Sequence, residues 1–503
     1  MHKRTVVLLL AATALAAGAA STAANAGGQI TVGSTLAPTT FDPVAGTSGG
    51  DAMSLYPIYD RLINFDPQTL APAPGLATAW EYAQPDVLTL TLREGVRFQD
   101  GAPFDAAAVK FNLERAMTMP TSTVKTDLSG IRSVDVVSAH QVKINLAKPD
   151  AALVLTLADR AGMMASPAAV EKWGAAFGQH PVGTGPFSFV EYAPGDRMIV
   201  KKNPDYWRSG QPSLDQISFR YFANQQTANN ALRARETDVQ LNVPASDVAA
   251  LKSVSTLEIV SRPSLLTEGC YFNFSREPFS NVAARQAIAS AIDRKALGGL
   301  LTFGLAVPTS QVFPAGYWAA DSKLADPFPF DRAKAKSLLA EAGHPNGLAI
   351  KGIAFQGTSE IRKAQIIQEQ LKAVGVDMTL DVTDIPTAAR SFFTEKKYDL
   401  ICSSWSGRPD PSQTAESLFS PKSFFNAGGY LAPGMDGALS RASSEQDPAK
   451  RAAAFSEISR LNQQYVIWLP LLSQPNITAI SKSVRGLVPN LYGKIDVSFL
   501  TRE

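Results

Sequence analysis

Apolar residues recur along this chain at two spacings, and the stretch 348–404 shows both most plainly. The apolar run 348–355 reads as a strand, and residues 360–374 place Ala364, Ile367, Leu371 and Val374 on one helical face. Strict alternation of Val376, Met378, Leu380 and Val382 gives a second strand. A second helix over 387–396 and a short buried strand over 399–404 come next. Strand–helix–strand–helix–strand implies right-handed crossovers and a parallel sheet. Ligands sit beyond the carboxyl ends of such strands, so 355–358, 383–384 and 405–410 are expected to converge on one rim.

The third of these ends carries the most chemistry: Trp405, Arg408, and then Pro409-Asp410-Pro411, which is expected to exclude helix and ladder alike. A ligand rim is the expectation, because loops here carry function more often than packing. The alternative is a surface turn with Trp405 packed on the sheet.

Elsewhere the pattern predicts a strand at 29–33, a helix over 52–62, a strand at 88–92, and a helix from its Asp105 cap to 117. A hairpin joins 134–137 to 141–146, and Ser166-Pro167 opens another helix. Asn281 caps 282–292, while Asp331 caps 332–342, which Gly343 and Pro345 stop. A long helix from Asp447-Pro448 to 465 turns Phe455, Ile458, Leu461 and Tyr465 inward, and 466–472 reads as a strand. Pro181-Val182-Gly183-Thr184-Gly185-Pro186-Phe187 reads as a crossing between units; it lacks the lysine and helix start of a phosphate loop. No flexible linker or repeat divides the chain, so crossing strands are expected to join its lobes.

The N-terminus changes the picture. His2-Lys3-Arg4, an apolar run over 6–20 and Ala24-Asn25-Ala26 make a secretory signal peptide, residues 1–26, with a retained anchor as the alternative. No cysteine stands directly after the cleavage site, so a soluble periplasmic protein rather than a lipoprotein is expected. Losing Lys3 and Arg4 leaves 45 basic and 45 acidic residues, a balance that argues against nucleic acid as partner. A chain of 503 residues exceeds one core. Cys270 and Cys402 are the only cysteines; two buried free thiols are expected, with a disulfide as the alternative.

Enzymatic constellations do not assemble. The four histidines stand apart without metal-ligand spacing, and the Gly-x-Ser-x-Gly at 46–50 falls in a loop, not at the sharp strand-to-helix turn of a nucleophile elbow. No cofactor and no resident metal are expected. A secreted hydrolase of small polar substrates remains the alternative class.

A run of motifs in one order carries a resemblance. They are Phe41-Asp42-Pro43, Tyr59-Asp60-Arg61-Leu62, Pro74-Gly75-Leu76-Ala77-Thr78-Ala79-Trp80-Glu81 and the segment 92–101. Next come 181–187, Asn203-Pro204-Asp205-Tyr206-Trp207, Phe272-Asn273, Arg285-Gln286-Ala287, Ile292-Asp293-Arg294, Ala340-Glu341-Ala342-Gly343 and Trp405. The chain resembles the bacterial extracellular solute-binding proteins of family 5, the peptide, nickel and opine receptors of ABC importers. The resemblance implies an α/β two-lobe periplasmic-binding-protein fold with a hinged cleft. Lobe I would take 27–60, 180–270 and 475–503, with an extra subdomain at 61–179, and lobe II 271–474. A monomer serving an inner-membrane ABC permease, bound to no nucleic acid, is implied.

Peptide-binding members are expected to carry an aspartate three residues after the tryptophan to receive the peptide amine, where this chain has Arg408. An ordinary zwitterionic peptide is therefore disfavoured, and a carboxylate-bearing ligand is expected: another peptide, a modified peptide, an opine, a sugar acid or a metal chelate. Trp405 would wall it, Arg408 pair with an anion, and Asp410 take a donor. Ser404 and Gln356 would lie on the rim, and the loop 48–51, with Gly49 and Asp51, would close from the other lobe. The resemblance also places Arg160, beside Asp159 and near Met163, at the contacts of chelate-binding members. Against a ligand role, Arg408 could brace its loop through Asp410 or Glu416.

Overall fold

Helices begin where the sequence supplies caps. Asp105 accepts from the Ala108 N–H at 2.9 Å, Asn281 from Ala283 at 2.9 Å and Asp447 from Lys450 at 2.9 Å. The structure, a computed structural model, describes residues 28–46 and 49–503; the signal peptide and Ser48 lie outside the described residues.

The strand expected over 466–472 runs on to Ser481, as Trp468–Ser481, and three other expected elements change. The helix expected over 52–62 is Gly49–Leu55, because Pro57 disfavours helical backbone just before it. The helix expected over 387–396 is a short one, Ile385–Ala389, continued by a wider turn over Arg390–Thr394. Pro409-Asp410-Pro411 does not exclude a helix but starts one, Pro411–Phe419. Asp410 caps it, accepting from the Ser412 N–H at 2.9 Å, and proline at the first position lacks only an N–H that would have no partner there.

Most strands belong to one continuous sheet. Leu348–Phe355 pairs in parallel with Val376–Thr383 and with Leu400–Ser406, as the alternation implied. Leu400–Ser406 then runs antiparallel to Leu257–Phe272, which runs antiparallel to Trp468–Ser481. Beyond these lie Val239–Gln240, Gln29–Ser34, Gln216–Tyr221, Arg197–Lys202 and Phe187–Ala193. A separate four-stranded antiparallel sheet, from Ala77–Gln84 to Gln141–Leu146, is covered by the helix Ala106–Thr118. The apolar core divides accordingly. One cluster centres on Trp468, Phe272 and Phe419, a second on Leu90, Phe104 and Ile144, and a third on Phe41, Tyr59 and Phe219.

Cys270 stands directly opposite Cys402 across two antiparallel strands, with Cα atoms 4.0 Å apart, and the two form a disulfide. The free-thiol expectation is thus corrected. Cross-strand register brings the two side chains together, which neither strand reveals alone.

Leu257–Phe272 and Trp468–Ser481 are the strands that cross between the lobes. Their register shifts twice, between Pro263 and Thr267 and again between Glu268 and Gly269, and the wider interruption is the first. Pro263 faces Pro475 across the ladder, and neither can donate a ladder hydrogen bond. Side chains fill the gap: the Ser264 hydroxyl donates to the Gln474 carbonyl at 2.7 Å. Near this break the Glu268 carboxylate is held by Lys363 at 2.6 Å and Ser404 at 2.9 Å, with Lys363 buried. A two-strand crossing with an interrupted ladder between firmly packed halves is a hinge by construction.

The crossing 181–187 packs against the segment 57–59. A Cβ on Gly183 would lie 2.2 Å from the Ile58 carbonyl oxygen, so this glycine serves close packing and not phosphate binding.

Candidate functional site

The break in the crossing strands forms the floor of a cavity of about 680 Å³. Ser264, Leu265 and Leu266 come from one strand, Pro475, Asn476 and Ile477 from the other. One wall brings Thr123, Asp127, Thr156, Asp159 and Arg160 together with Tyr492 and Lys494. The facing wall runs from Ser406, the last residue of Leu400–Ser406, through Gly407, Arg408 and Pro409 to Gln413. Ala52 and Met53 close the side nearest Gly49–Leu55.

Arg408 is the cation of the second wall. Its Nη1 donates to the Ser406 carbonyl at 3.0 Å, its guanidinium lies 5.9 Å from the Trp405 ring centroid, and no described carboxylate ion-pairs with it. Its charge reaches across the cavity, favouring the ionised form of Asp127 and disfavouring that of Lys494. Both partners proposed for a bracing role are otherwise placed. Asp410 pairs with Arg451, and Glu416, whose carboxyl burial pushes up, is influenced by Lys148.

The first wall carries four charges. Tyr492 donates to Asp159 Oδ2 at 2.6 Å, and Lys494 Nζ donates to the same oxygen at 3.2 Å. Burial alone would raise the Asp159 carboxyl, but Lys494, Tyr492 and Arg160 outweigh it and hold it down at about 2. Lys494 is drawn down by burial, with Arg160 and Arg408 adding to that and Asp159 opposing. We take the pair as ionised at neutral pH, because two donors converge on the carboxylate. The second oxygen, Asp159 Oδ1, is buried without a hydrogen-bond partner. Burial pushes Asp127 up, against Arg408. Arg160 Nη1 donates to the Gly46 carbonyl, and a Cβ on Gly46 would fall 2.9 Å from that nitrogen and 2.7 Å from Asp51 Oδ2.

Of the eight expected site residues, Arg408 and Arg160 line this cavity and six do not. Trp405 is buried, its ring centroid 5.2 Å from that of Phe425 and its Nε1 3.3 Å from Thr414 Oγ1. Asp410 is fully buried and clasped by Arg451, so it has no access to a ligand. Ser404 is bound to Glu268, and Gln356 lies on an exposed loop two strands from the crossing. Gly49 begins a helix instead of a closing loop. Asp51 is buried and accepts from the Thr39 N–H at 2.6 Å, holding the approach to Gly46. Met163 is core.

The single rim expected from three strand ends therefore reduces to one, because the cavity lies over the crossing strands and only Leu400–Ser406 neighbours them. Sequence reasoning missed Lys494, Tyr492, Asp127 and the floor. Only Pro263 and Pro475, interrupting two apolar strands, offered a signal. Among the described residues no group of three His, Cys, Asp or Glu side chains could hold a metal ion, and no helix is long and apolar enough to cross a membrane.

Known proteins resemble this chain in sequence and fold. The profile of the bacterial extracellular solute-binding proteins, family 5, matches residues 71–426. The glutathione-binding protein GsiB of Escherichia coli O157:H7 is 32% identical over 500 residues, 97% of this chain and 96% of its own. Its Salmonella paratyphi A counterpart is 34% identical over 409 residues, 79% and 80% of the two chains. The solved structure of HbpA2 from Haemophilus parasuis superposes with a TM-score of 0.86 at 25% identity, over 94% of this chain and 100% of that one. With its two lobes, crossing strands and interlobe cavity, the chain belongs to the bacterial extracellular solute-binding proteins of family 5, the substrate-capturing components of ABC importers.

Proposed function

We propose that this protein captures a glutathione-type tripeptide in the periplasm and delivers it, unaltered, to an ABC permease. The observation that carries the reading is the charge of the cavity: Arg160, Arg408 and Lys494 line it together with Asp127 and Asp159, over the hinge. Glutathione has two carboxylates and one ammonium at neutral pH, the complement of three cations and two anions. The GsiB relatives, named for glutathione binding, support the same class. Signal-peptide cleavage after Ala26 would release a soluble monomer. Lobe I comprises 27–60, 180–270 and 475–503, the extra subdomain 61–179 and lobe II 271–474.

A ligand touching both walls gains contacts only when the lobes approach, so binding favours the closed form that a permease would recognise. Calorimetry of the mature protein with reduced glutathione, oxidised glutathione and trialanine tests this. One-to-one binding of reduced glutathione at roughly micromolar affinity or tighter is expected, with trialanine weaker. Mass spectrometry should recover the ligand intact. Absence of heat with either glutathione form, or turnover of the ligand, overturns the reading.

A further inference from the structure

The wall opposite Arg408 presents opposite charges from consecutive residues, Asp159 and Arg160, and one atom there lacks a partner. Asp159 Oδ2 is occupied by Tyr492 and Lys494, whereas Asp159 Oδ1 is buried and receives no hydrogen bond. A buried carboxylate oxygen without a donor is unfavourable, and among the described residues none donates to it. Arg160 spends one nitrogen on the Gly46 carbonyl, and no described carboxylate ion-pairs with it. Each of these two side chains has hydrogen-bonding capacity left over, one for a donor and one for an acceptor, and both residues line the cavity.

We propose that Asp159 receives the ammonium and Arg160 the carboxylate of a free amino-acid head group, both borne by one ligand carbon. The inference rests on the glutathione-class reading and adds what that reading leaves open, namely which end of the ligand meets which wall. A γ-linked glutamyl residue keeps its α-ammonium and α-carboxylate together. An α-linked one has already spent that carboxylate in the peptide bond. The wall therefore selects γ-glutamyl peptides over α-peptides of the same composition, and the far carboxylate is left for Arg408. Tyr492 and Lys494 act as positioning residues that fix the carboxylate of Asp159.

The test compares three ligands by calorimetry: glutathione, its α-glutamyl isomer, and glutaryl-Cys-Gly, which lacks only the amino group. Wild type should favour glutathione by roughly tenfold or more over each, because a polar group built to pair rejects an analogue lacking its partner. Asp159→Asn, which keeps the shape and an acceptor for Tyr492 and Lys494, should narrow the glutathione-to-glutaryl gap to about threefold or less. Equal binding of the three ligands by wild type overturns the inference while leaving the glutathione-class reading intact, and needs no variant to fold. An Asp159→Asn variant that weakens all three ligands alike overturns it as well, since Asp159 would then only hold Tyr492 and Lys494. If wild type binds no glutathione at all, the broader reading falls and this one with it.

Discussion

Arg451 grips Asp410 with both terminal nitrogens, at 2.8 Å and 2.7 Å, and both side chains are buried. The pair ties the start of Pro411–Phe419 to the helix Pro448–Tyr465 directly behind the Arg408 loop. Removing one partner leaves a buried charge without its counterion. Asp410→Ala should therefore cost about 3–5 kcal/mol of stability. Denaturant unfolding measures this; a midpoint within error of wild type contradicts the account.

The disulfide gives a second expectation. Cys270 and Cys402 are separated by 132 residues, so the bond restrains a long loop of the unfolded chain. Unfolded, unreduced protein should take up no alkylating reagent, and reduced protein two equivalents. Reduction should lower stability by about 4 kcal/mol. Two reactive thiols without reduction would contradict it.

Acid stability should report on Asp159. Its carboxyl is held at about 2 in the folded protein, below its ordinary 3.8, so it contributes stability that is present above about pH 4 and lost as pH falls toward 2. Denaturation midpoints measured from pH 5 to pH 2 should fall, and Asp159→Asn should fall less steeply. Parallel slopes would contradict the assignment.

Much of the fold is legible in the sequence because it rests on local signals. Caps at Asp105, Asn281 and Asp447, alternation at 376–382 and the helical stripe from Ala364 to Val374 depend on near neighbours in the chain. The site is less so. Trp405 and Asp410 have the composition of a ligand rim, but whether a tryptophan faces a cavity or Phe425 is decided by residues far off in sequence. Asp410 finds Arg451, 41 residues on, which no motif announces. Lys494 and Tyr492 reach Asp159 across more than 300 positions. Pro409-Asp410-Pro411 misleads because proline forbids a helix interior yet suits its first turn.

Closure should be measurable in solution. The pairing of the two crossing strands is interrupted between Pro263 and Thr267, and the cavity lies over that interruption. Saturating glutathione should shrink the radius of gyration in X-ray scattering, with one ligand per chain. A scattering curve unchanged at saturation would contradict hinge closure.

The most direct measurement is calorimetry of Arg408→Ala with glutathione. Arg408 is the cation of the wall that follows Leu400–Ser406, and no described carboxylate ion-pairs with it. If an anionic ligand bridges the lobes, its affinity should fall at least about tenfold, with an unchanged melting temperature. Arg408→Lys should recover only part, since a point charge does not reproduce a planar fork. Binding by Arg408→Ala within about threefold of wild type, too small for a lost charge pair, would contradict capture of the ligand between the two walls.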